Sequence, residues 1–79
     1  MTIDAIRTYI QVEILGDPEF TIDADQDLLL SETLDSLSVV RLVAHLEQET
    51  GLEIPPEDVT LENFASLSRI DEYLGSRRE

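Results

Sequence analysis

Four isoleucines set the first pattern in the chain. Ile3, Ile6, Ile10 and Ile14 recur at +3, +4 and +4, the spacing of one face of a helix. Thr2 is placed to cap that helix and Asp4 to sit in its first turn. Gly16 and Pro18 stop it, so a helix is expected over 2–15, with Tyr9 and Val12 widening the apolar face. Periodicity is then lost from Asp17 to Thr33. Phe20, Ile22, Leu28, Leu29 and Leu30 are too many apolar residues for a solvated linker. They are expected to plug a long first loop into the core, with a short turn at 27–30.

A second helix is expected from Asp35, its N-cap, to about Thr50, ended by Gly51. Val39, Leu42, Val43 and Leu46 form its core stripe, while Leu37, Val40 and Ala44 form another about half a turn away. Two apolar stripes on one helix leave a second surface to satisfy. Pro55-Pro56-Glu57-Asp58 reads as a helix start, with Val59, Leu61 and Phe64 as the apolar points of a short third helix. Ser66 caps a last helix through Leu67, Ile70, Tyr73 and Leu74. Gly75 is expected to stop it, leaving 76–79 as a frayed tail. The expected fold is therefore all-α: a small four-helix bundle, three main helices plus a short third one, with a long first loop, in a single domain over 1–79.

Charge narrows the partners. Eighteen acidic against five basic residues give a formal charge of -13, which disfavours nucleic acid and anionic membrane surfaces. It favours proteins with basic docking patches. A hydrophobic share of 42% is too high for the chain to be disordered on charge alone. With no cysteine, any thiol chemistry must come from a cofactor. No export signal or membrane span is visible, so the cytoplasm is the expected location and a monomer the expected state. Asp23, Asp25 and Asp27 open like a calcium loop, but Leu28 and Leu34 stand where glycine and glutamate are required, so no metal site is assigned. His45 is the only histidine and lacks a second base or nucleophile; it is expected on a solvated polar flank beside Ser38 and Glu49. The chain is read as no enzyme.

Ser36 falls in the first turn of the second helix, where unpaired N–H groups and the helix dipole favour a negative group. A hydroxyl there is placed to carry a phosphodiester, although serine is also common at helix starts as a cap. Asp35-Ser36-Leu37, then Leu42-Val43, Leu46-Glu47 and Glu53-Ile54-Pro55, resemble the acyl carrier protein family over nearly the whole chain, from Ile3 to Leu74. The resemblance implies that Ser36 carries 4'-phosphopantetheine from coenzyme A, and that Asp35 is recognised by the phosphopantetheinyl transferase. It implies docking of partners on the second helix through Leu37, Val40, Arg41, Ala44 and Glu47. Those partners are the transferase, an acyl- or aminoacyl-loading ligase and downstream acyl-using enzymes. Cargo is expected against an interior lined by Ile10, Val39, Leu46, Leu61 and Ile70. Thr33-Leu34 before Asp-Ser, with Ser38 and Arg41 where acids are frequent, brings the chain nearer to D-alanyl and other aminoacyl carriers than to the fatty-acid type. The alternative is an unmodified acidic helical interaction module.

Overall fold

The computed structural model describes residues 2–77. It is all-helical, with no strand among the described residues. The first helix begins as α1, Ile3–Tyr9, and its N-cap is Thr2, whose Oγ1 accepts from Ala5 N–H at 3.1 Å. From Ile10 to Ile14 the same rod widens into a π-helix, closed by Leu15 N–H donating to the Ile10 carbonyl at 2.8 Å. The rod thus has the expected length but not one regular pitch. Ile6 and Ile10 are fully buried and Tyr9 and Ile14 pack against the core, whereas Val12 is 45% exposed and does not widen the apolar face. Gly16, at φ 67°, takes the left-handed stop that its sequence position requires.

The loop that follows is tied down at several points. Arg7 Nε donates to the Ile22 carbonyl at 2.8 Å and Gln11 Nε2 to the Phe20 carbonyl at 2.6 Å. Asp27 Oδ1 accepts from Leu29 N–H and Leu30 N–H at 2.9 and 2.6 Å, which makes the expected turn. Ile22 and Leu28 are the plugs, at 3% and 0% exposure. Leu29 packs half-buried against the core, whereas Phe20 and Leu30 are exposed and plug nothing. Glu32, at φ 62°, is the only non-glycine in the left-handed region among the described residues.

Helix α2, Ser36–Thr50, runs from the Asp35 cap to Gly51 at φ 74°. Its core stripe is as read, with Leu42 and Leu46 fully buried and Val39 and Val43 half-buried. The proline-led segment is broken in two. Pro56–Asp58 forms a single 3-10 turn, and α3, Leu61–Phe64, starts separately from its own cap Thr60. Thr60 is extended and its Oγ1 accepts from Asn63 N–H at 3.3 Å, so one helix cannot pass through it. Phe64 enters the core, but Leu61 stays exposed and does not line it.

Helix α4 spans Leu67–Arg77. Ser66 Oγ accepts from Arg69 N–H at 3.2 Å, the expected cap. Gly75 does not end the helix, because Arg77 secures the last turn. Arg77 Nη2 donates to the Glu53 carbonyl at 2.8 Å and Nη1 reaches Asp58 Oδ2 at 3.3 Å. Of the tail expected to fray, Ser76 and Arg77 are therefore helical, and 78–79 lie outside the described residues. Ile6, Ile10, Leu28, Leu42, Leu46, Phe64, Leu67, Ile70 and Leu74 make the core. At roughly 1.5–3 kcal/mol for each fully buried large side chain, that burial drives the bundle together. No described helix is long and apolar enough to cross a membrane.

Candidate functional site

The start of α2 is held from both sides. Leu34, directly before the cap, is 3% exposed, and its N–H donates to the Leu28 carbonyl at 2.9 Å. Leu28 N–H in turn donates to the Ala65 carbonyl at 2.7 Å, so the approach to α2 is anchored to the α3–α4 junction. Asp35 is extended, with φ -92° and ψ -178°, and its Oδ1 accepts from Ser38 N–H at 2.8 Å. That hydrogen bond, with a second contribution from the Ser38 side chain, holds the Asp35 carboxyl below its ordinary value of 3.8. Asp35 therefore remains an ionised cap through mild acid. Its contribution to stability is present above pH 3.8 and is lost as pH falls through the lowered value.

Ser36 is exposed, in the first turn of α2, and it is not the cap. Its side chain is left to face solvent beside an open depression of about 800 Å³, whose walls include Leu29, Leu34, Val39, Val59 and Leu61. Leu61, misplaced in the interior by the sequence pattern, thus borders the serine's surroundings. A second groove of about 340 Å³ runs between α2 and the segment from Ile54 to Val59 and meets the first depression at Val39, Val40 and Val59.

The expected docking residues divide into two sets. Leu37 and Val40 project into solvent, at 70% and 64% exposure, with Ala44 exposed beyond them. Arg41 and Glu47 do not stand as free rim charges. Arg41 Nη2 donates to the Glu13 carbonyl at 2.8 Å, at the end of the π-helical segment, so its cation serves that helix end rather than the outer stripe. Glu47 is half-buried, and its Oε2 accepts from Ile54 N–H at 2.9 Å. His45 is also not a solvated flank residue. Its ring stacks on Tyr9, with centroids 3.7 Å apart and planes 10° from parallel, between the first helix and α2. For Arg41 and His45 the cause is the first helix, which lies against this side of α2. For Glu47 it is the return of the chain at Ile54. A helical wheel of α2 alone shows neither.

The sequence pattern places no structural role on Leu34, which enters only in rejecting a calcium loop and as a departure before Asp-Ser. The available signal was the pairing of an apolar residue before the cap with Val39 four positions into the helix, the hydrophobic staple pattern. Both line the depression beside Ser36. Among the described residues, no group of three or more side chains could hold a metal ion.

The family model described as "Phosphopantetheine attachment site" matches residues 4–73. The D-alanyl carrier protein of Lactococcus lactis subsp. cremoris (strain MG1363) is 32% identical over 57 residues, 72% of each chain. That of Lactococcus lactis subsp. lactis (strain IL1403) is 30% identical over the same share. In solved structures, a chain of a "Crystal structure of FAD-dependent dehydrogenase" superposes with a TM-score of 0.78 at 29% identity, covering 86% of this chain and 96% of that one. The chain belongs to the phosphopantetheine-attachment family of carrier proteins, and its prosthetic group is 4'-phosphopantetheine.

Proposed function

We propose that Ser36 is the attachment residue and that the protein is a monomeric, cytoplasmic carrier of aminoacyl or other specialised acyl groups. One observation carries the assignment: Asp35 caps α2 by itself, so the exposed Ser36 is free of structural duty at the helix end. The residues around it suit the group. The N-terminal turn of α2 favours a phosphodiester, and a depression walled by both apolar and polar side chains lies alongside. When bound, the group supplies a terminal thiol on a flexible arm, on which an acyl group is held as a thioester.

This chain's own part is to anchor, present and discriminate. The ionised Asp35 offers the transferase and its metal ion a carboxylate next to the reacting hydroxyl. Leu37, Val40 and Ala44 offer apolar contacts, surrounded by an acidic surface, to the loading ligase and to consuming enzymes. The aminoacyl reading is supported by the D-alanyl carrier relatives, at low identity. The likeness to a chain of similar length in an FAD-dependent dehydrogenase structure adds a flavin-dependent dehydrogenase to the candidate consumers. Catalysis is left to these partners.

The test is incubation with coenzyme A, magnesium and a broad-specificity phosphopantetheinyl transferase, followed by mass measurement. The wild type should gain the arm and Ser36→Ala should not, with a stability loss below the ~1 kcal/mol of a removed cap. No gain in the wild type would favour the unmodified interaction module, and gain in Ser36→Ala would move the attachment elsewhere.

A further inference from the structure

We infer that Glu47 is a specificity-determining residue that receives the ammonium of an aminoacyl cargo in the groove beside α2, an inference that rests on attachment at Ser36. The groove is apolar along Val39, Val43, Ile54, Pro56 and Val59, and Glu47 is the one ionisable residue among those that line it. It opens at Val39 and Val40 onto the depression beside Ser36, and Glu47 stands further along α2 by roughly 16 Å of helix rise from Ser36. A volume of about 340 Å³ suits a small group.

The carboxylate is held in place. Its Oε2 accepts from Ile54 N–H at 2.9 Å, which leaves Oε1 and further lone pairs for another donor. Neither of the two ion pairs among the described residues includes Glu47. On its other side Glu47 shares a depression with Arg77, whose guanidinium is engaged by Asp58 and by the Glu53 carbonyl. Covering this half-buried carboxylate with an alkyl chain would strip water from a charge and offer nothing in return. An ammonium in the same place forms a charge-assisted hydrogen bond in an apolar setting. The groove therefore discriminates by charge between cargos of equal size.

Alanyl- and propionyl-coenzyme A, whose acyl groups differ only by the ammonium, test this when a permissive transferase installs each arm on the intact protein without a ligase. The backbone amide shift of Ile54 and the lifetime of the acyl linkage are read for wild type and Glu47→Gln, a change that keeps an acceptor for Ile54 N–H. The alanyl form should shift the Ile54 amide relative to the propionyl form, and Glu47→Gln should remove that difference. The variant should also shorten the alanyl linkage lifetime by about threefold or more while leaving the propionyl lifetime unchanged. Identical Ile54 shifts in the two wild-type forms, or equal lifetimes in wild type and variant, would overturn the role of Glu47. Failure of either arm to reach Ser36 would instead overturn the attachment reading, and mass measurement separates the two failures.

Discussion

The Tyr73 hydroxyl donates to Asp58 Oδ2 at 2.7 Å, and this bond ties α4 to the 3-10 turn at the edge of the groove wall. Tyr73 is 8% exposed, and its ring also packs against Phe64 at a centroid distance of 5.6 Å. Arg77 joins the same carboxylate, and Asn63 Nδ2 donates to the Asp58 carbonyl at 2.9 Å, so Asp58 is the knot of this end of the bundle.

Asp58→Ala should lower unfolding stability by about 1–3 kcal/mol, because the buried phenol loses its acceptor. Tyr73→Phe should cost about 1 kcal/mol, since it removes the donor together with its need for a partner. The double variant should lose less than the sum of the singles. Denaturant titration of the four proteins measures the coupling, and strict additivity would mean the bond contributes nothing.

Burial, and then the Asp58 carboxylate that accepts from it, push the Tyr73 hydroxyl up to about 12 from its ordinary 10.0. A raised folded value means that the native state keeps this proton longer than the unfolded chain does. Its stabilising contribution is complete below pH 10 and is lost as pH rises toward 12. Phenolate absorbance of the native protein should show a tyrosine titrating near the upper value, and Tyr73→Phe should remove that transition.

Leu34→Ala should destabilise the fold by about 2–5 kcal/mol, the range for a buried leucine truncated in a packed core. Because Leu34 N–H pairs with Leu28, the loss should spread to the first loop and appear as faster amide exchange around Leu28. A loss under ~1 kcal/mol would show that the approach to α2 is held by its backbone bonds alone.

Arg41→Glu should now act on stability before it acts on partner choice. It removes the guanidinium that satisfies the Glu13 carbonyl and puts a carboxylate beside the acidic end of the first helix. A loss of about 1 kcal/mol is expected, with Arg41→Lys recovering part of it. If thermal unfolding of the unmodified protein is unchanged by Arg41→Glu, the side chain is solvated and the rim reading regains ground.

The helices and their caps were legible because each depends on a few adjacent residues. Thr2, Asp35 and Ser66 act through local hydrogen bonds, and Gly16 and Gly51 through their own backbone freedom. The separate Thr60 cap, which breaks the proline-led segment, was not read. Ser36 was legible for the same reason, as a first-turn residue with its cap already supplied. What escaped was decided between elements. The inward turn of Glu47, the stacking of His45 on Tyr9 and the continuation of α4 through Gly75 each depend on a partner distant in sequence. No wheel or spacing rule contains those partners. The widening at Ile10–Ile14 escaped as well, since a +4 spacing of isoleucines suits both pitches.

Leu34 is sealed in the core just ahead of Ser36, so the post to which a tether on Ser36 would be tied stands still relative to α2. A partner that grips α2 thereby receives the origin of the leash at a known place. Its active site then meets the load at a local concentration set by tether length, millimolar for short flexible tethers, whatever the dilution of the two proteins in the cell.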